Sequence, residues 1–224
     1  PAVRATLDEA SHALGEDVAA LIHAGPKEAL DLTTNTQPAM LVAGVAAYRA
    51  WLAEGGPSPA AVAGHSLGEY SALVAAGALA LADALPLVRF RAQAMQEAVP
   101  VGAGAMAAVL GLDASVVSDM CAQSQASVRE CVEAVNFNDP KQTVIAGTKA
   151  AVEHASAALK AAGAKRVLPL PVSAPFHSLL MKPAAERLRE RLAGTSFAAP
   201  AIPVVNNIDV AAVADAGGIR DALV

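Results

Sequence analysis

Aromatic residues make up only 3% of the 224-residue chain. So few rings argue against a groove lined with stacking side chains. Cysteine is also scarce. Cys121 and Cys131 are the only two, and no cysteine–histidine spacing suited to a metal occurs. Two such thiols point to reduced, buried side chains in a cytoplasmic protein rather than a disulfide scaffold. Runs of basic residues are absent and the net charge is −5, which argues against nucleic acid as a partner. Long hydrophobic runs are absent too. The apolar stretch 72–82 is far short of a bilayer span and Asp83 ends it, so no membrane association is expected. Arg4, Asp8 and Glu9 interrupt any signal-peptide character at the start.

What is present is alanine. The chain is 54% hydrophobic and 17% charged, and much of the apolar share is alanine. Alanine costs little entropy in a helix, so the bias reads as many small-faced helices. Residues 1–30 are helical in composition. The polar stretch 32–37 reads as a loop before Pro38, which opens a helix through Met40, Val45, Tyr48 and Leu52. The run Ala60-Ala61-Val62-Ala63-Gly64 has the length of a buried parallel strand. A helix follows from Gly68 to Ala76. Asp83 then reads as the cap of another helix through Leu85, Val88, Ala92, Met95 and Val99.

Residues 104–172 read as a separate unit. Strands are expected at 105–110, 128–135, 143–146 and 165–172, with helices at 113–125 and 149–162. The order β-α-β-β-α-β is the split βαβ, ferredoxin-like arrangement. The expected fold is therefore α/β: a parallel-sheet core from 1–103 and 173–224, with 104–172 inserted as a small subdomain. One helix, 182–193, and a strand near 202–206 are expected in the returning segment.

Gly64-His65-Ser66-Leu67-Gly68 carries the chemistry. Gly-x-Ser-x-Gly is a weak pattern alone. Here it follows an apolar run and precedes a helix, which is the context of a nucleophile elbow. The turn is tight, so a side chain at Gly64 or Gly68 is expected to crowd the backbone. Ser66 then projects at a helix N-terminus, where N–H groups and the dipole favour negative charge. The Leu67 N–H is the natural oxyanion donor. A structural serine capping a helix would show the same five residues.

A serine hydroxyl needs a base. His65 adjoins Ser66 and neighbours at an elbow point apart. His12, His23 and His154 fall in expected helices and read as surface residues. His177 lies in a Pro-containing loop after an expected strand, the usual place for an active-site group. Arg91 sits at the edge of the stripe Val88, Ala92, Met95, Val99. It either snorkels into water or seats an anion such as a carboxylate.

Gly64-His65-Ser66-Leu67-Gly68-Glu69 resembles the serine motif of the malonyl-CoA:acyl carrier protein transacylases of bacterial fatty acid synthesis. Val88-Arg89-Phe90-Arg91 with Met95-Gln96, Val135-Asn136-Phe137-Asn138 with Val144-Ile145-Ala146-Gly147, and Pro171-Val172-Ser173 to His177 with Met181-Lys182-Pro183 resemble the same family in order. The resemblance implies an α/β-hydrolase-like core. It implies that Ser66 is acylated, His177 is its base, Leu67 gives an oxyanion N–H and Arg91 pairs the malonyl carboxylate. His65, Met95 and Phe176 would contact substrate. Phe176 resembles the residue that favours malonyl over methylmalonyl, a choice worth about 1–3 kcal/mol for one methyl. The implied partners are malonyl-CoA and acyl carrier protein. The protein is expected to be a monomer and to need no cofactor and no metal. The family also has an N-terminal glycine- and glutamine-rich loop with the second oxyanion donor, and a downstream glutamine carbonyl that orients the histidine. This chain shows neither, so truncation at both ends and weak activity are expected; one lost oxyanion donor costs about 10²–10³ in rate. A serine hydrolase, a polyketide synthase acyltransferase domain and a non-catalytic domain remain open from sequence.

Overall fold

The computed structural model describes residues 1–172 and 174–224; Ser173, in the motif before His177, lies outside the described residues. The chain divides into two compact units, Pro1–Gln93 with Glu186–Val224, and Ala94–Ala185. The second is wider at both ends than the stretch 104–172 expected from strand spacing. It also holds the end of one helix, the loop after it and the His177 loop.

The first unit opens with helices α1 (Ala2–Leu14), α2 (Val18–Ala24), α3 (Lys27–Leu30) and α4 (Thr33–Ala53). The stretch 32–37 is not a loop: α4 begins at Thr33 and Pro38 lies inside it. The polar residues there turn back onto the preceding turn. Asn35 Nδ2 donates to the Ala29 carbonyl at 3.0 Å, and Thr36 Oγ1 to the Leu32 carbonyl at 3.1 Å. These bonds begin the helix early enough that the proline, which lacks an N–H, falls in its second turn.

Strand β1 is only Val62–Ala63, and helix α5 (Gly68–Ala75) follows the turn. Helix α6 runs Leu81–Glu97, so Asp83 lies in its first turn rather than capping it. An acid there still complements the helix dipole.

The second unit contains β2 (Gly104–Leu110), α7 (Ala114–Val128), β3 (Val132–Asp139), β4 (Gln142–Thr148), α8 (Lys149–Ala161) and β5 (Arg166–Pro169). Its sheet has order β3-β4-β2-β5 with every neighbour antiparallel. Alternation along the strands splits the side chains between two faces. Ala107, Val109, Ile145 and Val167 pack with Val117 and Cys121 of α7 and with Val152, Ala155 and Leu159 of α8. Met106, Val144 and Ala146 form a second cluster, against which Val135, Leu170 and Phe176 pack.

Helix α9 (Lys182–Ala193) leads back to β6 (Val204–Val205), followed by α10 (Ala216–Ala222), a short helix the sequence pattern did not reveal. β6 pairs in parallel with β1, Val62 opposite Val204 and Ala63 opposite Val205. Around this two-stranded sheet, Leu41 of α4, Leu73 of α5, Leu85 of α6 and Leu192 of α9 are each at most 1% exposed and belong to one core. Each such leucine contributes about 1.5–3 kcal/mol of burial. That core anchors the strand end from which the serine turn springs. Among the described residues, no helix is long and apolar enough to cross a membrane.

Candidate active site

Ser66 stands between β1 and α5 with φ 52, in the left-handed region. A non-glycine residue there costs about 1–3 kcal/mol, and the surroundings must hold it. Gly64 makes the turn possible. A Cβ on it would lie 1.9 Å from the Gly68 carbonyl oxygen. Gly68 is different from the expectation: among the described residues, an added Cβ there meets nothing within 4 Å. The crowding is one-sided because the backbone of Gly68 passes over Gly64, whereas the position of the Gly68 Cβ looks outward.

Leu67 stands directly before α5, and among the described residues no hydrogen bond takes its N–H. His65 is exposed.

Arg91 comes from α6 and is 8% exposed, so its head does not snorkel into water. Its Nη2 donates to Ser66 Oγ at 3.1 Å and its Nη1 to Gln37 Oε1 at 2.7 Å. The guanidinium lies over the Tyr70 ring, 5.7 Å from the centroid. Burial pushes its pKa below the usual arginine value, while Tyr70 and the Glu69 carboxylate pull it back up. Among the described residues Arg91 makes no ion pair. Its α6 neighbour Phe90 faces the other way, under Arg187 and Arg191 of α9.

Two residues of this site escaped the sequence reading. Gln37 falls in the stretch 32–37 expected as a loop, and only its place in the second turn of α4 brings it to Arg91. Asn207 lies just past β6. Its Oδ1 accepts the Ser66 N–H at 3.1 Å, its Nδ2 donates to the Gly64 carbonyl at 2.7 Å and to Glu69 Oε2, and its N–H donates to Glu69 Oε2 at 3.0 Å. Glu69 is 4% exposed. Burial raises its carboxyl above the usual range, and the bonds from Asn207 and the charge of Arg91 draw it back. The sixth letter of the serine motif was the available signal for Glu69; nothing local marked Asn207.

His177 belongs to the second unit. It is exposed and has φ 65. Its neighbours hold the loop. Ser178 Oγ donates to the Pro175 carbonyl at 2.7 Å, and the Leu179 N–H donates to Glu133 Oε2 at 2.7 Å. Pro175 sits against β2 at Gly104, where a Cβ would lie 2.3 Å from the proline Cδ. Phe176 packs on the cluster of Met106, Val144 and Ala146. Met95, near the end of α6, is buried. The structure thus joins Ser66, Leu67 and Arg91 in the first unit, and sets Met95, Phe176 and His177 in the second. Among the described residues no group of His, Cys, Asp and Glu side chains is arranged to hold a metal ion. Cys121 is buried and its thiol is pushed up to about 12, chiefly by that burial.

Fold and elbow are those of an acyl transferase domain, and the family model of that description matches residues 1–216. The chain is 57% identical over 224 residues to the malonyl CoA-acyl carrier protein transacylase of Escherichia coli (strain K12), covering 100% of this chain and 72% of that protein. The crystal structure of the acyl-carrier-protein S-malonyltransferase from Burkholderia pseudomallei 1710b superposes with TM-score 0.96 at 65% identity, covering 99% of this chain and 72% of that one. A malonyl-transacylase in complex with a type II PKS acyl-carrier protein superposes with TM-score 0.96 at 52% identity, covering 100% of this chain and 72% of that one. The chain belongs to the malonyl CoA-acyl carrier protein transacylase family.

Proposed function

We propose that the protein transfers a malonyl group from malonyl-CoA to the phosphopantetheine thiol of acyl carrier protein, in fatty acid synthesis, through an ester on Ser66. The observation that carries this reading is the buried Arg91 guanidinium, without an ion pair among the described residues and hydrogen-bonded to Ser66 Oγ. A buried cation seeks an anion. A fork-shaped one suits a carboxylate, and malonyl is an acyl group that ends in one. The family membership supports the same substrate.

In the first half-reaction His177 takes the Ser66 hydroxyl proton. The oxygen attacks the thioester carbon, the carbon–sulfur bond breaks, and CoA leaves with that proton as a thiol. In the second half, the carrier thiol gives its proton to His177 and its sulfur attacks the Ser66 ester. The carbon–oxygen bond breaks, and the proton returns to Ser66. The Leu67 N–H stabilises the oxyanion in both halves. Its N–H, which no hydrogen bond takes among the described residues, and the left-handed backbone at both Ser66 and His177 support these roles.

His65, Met95 and Phe176 are read as substrate contacts, with Phe176 disfavouring a branched acyl group. The finer architecture is read as an α/β-hydrolase-like core with a ferredoxin-like second unit, which the β3-β4-β2-β5 order supports. The protein is read as a cytoplasmic monomer that needs no cofactor, because nucleophile, base and cation are all side chains.

Intact mass after mixing with malonyl-CoA tests the reading. A malonyl ester that is absent in Ser66→Ala and discharges onto holo-acyl carrier protein is expected. Dominant hydrolysis without transfer would overturn it.

A further inference from the structure

Main-chain pairing of β1 with β6 stops at Ala63 opposite Val205. Two residues further along both strands, Asn207 falls opposite His65. The backbone of β6 has turned away by then. The Asn206 N–H donates to the Ala211 carbonyl at 3.0 Å, and the Asn207 N–H goes to Glu69. The side chain of Asn207 takes over. It donates to the Gly64 carbonyl at 2.7 Å and accepts the Ser66 N–H at 3.1 Å. In a parallel ladder, a peptide opposite residue i donates to the carbonyl before i and accepts the N–H after it. With His65 as residue i, the carboxamide reproduces that pair of bonds. It stands where the next peptide of β6 would stand.

Glu69 determines which way the amide faces. A carboxylate only accepts hydrogen bonds, so Nδ2 turns toward Glu69 and Oδ1 is left for Ser66. One short side chain therefore grips the residues on both sides of His65 and the first turn of α5. Ser66 is left-handed and not glycine, so its backbone keeps that conformation only if its neighbours enforce it.

We propose that Asn207 is a positioning residue for the nucleophile: its carboxamide extends β6 by one peptide equivalent and holds Ser66 at the backbone angle from which Oγ reaches the acyl carbon. This rests on the reading of Ser66 as the acylated residue. Asn207 acts through the Ser66 backbone, so it influences the chemical step and leaves the Arg91 carboxylate seat alone.

Steady-state kinetics of malonyl transfer, melting temperature and hydrogen exchange at the Ser66 amide test it. Asn207→Ala is expected to lower kcat by about 10- to 100-fold, the scale of a small misplacement of a reacting group, with KM within about twofold. Its Ser66 amide should exchange at least about tenfold faster than in the wild type, since a lost hydrogen bond opens the amide to water. Asn207→Asp keeps the acceptor, loses the donor and sets a second carboxylate beside Glu69. Two touching carboxylates hold one proton tightly, and that proton restores the donor. The activity of Asn207→Asp relative to wild type should therefore rise as pH falls from about 8 to about 6, while the same ratio for Asn207→Ala stays flat. A merely structural asparagine would lower the melting temperature of both variants without moving that ratio. Wild-type-like kcat in Asn207→Ala, a raised KM at unchanged kcat, or unaltered exchange at Ser66 would overturn the proposal. If Asn207→Ala does not fold, the pH ratio of Asn207→Asp decides. A wild type that forms no malonyl ester would refute the transfer reading instead, and the Ser66 exchange rates would then decide this one.

Discussion

Arg91 Nη2 donates a hydrogen bond of 3.1 Å to Ser66 Oγ, from a guanidinium that is 8% exposed. The residue that would define the acyl group thus touches the atom that would carry it. Arg91→Ala should cut kcat/KM for malonyl-CoA while sparing acetyl-CoA, which has no carboxylate. Hydrogen bonds to charged groups contribute about 1.5–3 kcal/mol, or roughly 10- to 150-fold. Competition assays with the two thioesters check this. An equal fall for both would remove Arg91 from the carboxylate seat.

The two glycines of the elbow should behave in opposite ways. Gly64→Ala would press a methyl against the Gly68 carbonyl, 1.9 Å away, in rigid backbone. A loss of about 3 kcal/mol or more is expected, because overpacking against main chain finds no room to relax. Gly68→Ala has open space at the start of α5. It should be neutral or stabilising by up to about 1 kcal/mol through helix propensity. Denaturant melts of the two variants give the comparison.

Glu69 makes stability depend on pH. Its folded-state pKa lies above the ordinary carboxylate value, chiefly through burial. The folded protein therefore holds this proton more tightly than the unfolded chain does. The stabilising contribution is complete below the ordinary value and is lost as pH rises through the raised one. Melting temperature as a function of pH should show this fall in the wild type, and Glu69→Gln should lack it. Parallel curves for the two proteins would refute it.

The Tyr70 hydroxyl is buried and, among the described residues, has no hydrogen-bond partner. Burial pushes its pKa up to about 12. Tyr70→Phe removes the unmet group and keeps the ring beneath Arg91. Stability should stay level or rise by about 1 kcal/mol, the scale set by an unsatisfied buried polar group. Activity should remain within about threefold, since the ring beneath the Arg91 guanidinium is retained. Thermal melts and transfer rates check both, and a large loss of activity would give the hydroxyl a role in the reaction.

Local order was legible in the chain itself. The apolar run before Ser66, the glycines around it and the helix after it are neighbours in sequence, so their periodicity and turn chemistry announce the elbow. The strand–helix alternation within 104–172 likewise announced the individual elements β2, α7, β3, β4, α8 and β5, with their ends shifted by a few residues. What sequence alone determined, then, was the serine turn, the loop of His177 and the stripe bearing Arg91. Tertiary structure decided how Ser66 is held. Arg91 comes from 25 positions away and Asn207 from 141. Gln37 reaches Arg91 across 54. No periodicity or turn signal links residues so far apart, because their meeting depends on how α4, α6 and β6 pack around one core. Gly68 shows the same limit on a smaller scale: five adjacent letters predicted crowding on both sides of the serine, and only the path of the backbone through space reveals that the clash is at Gly64 alone.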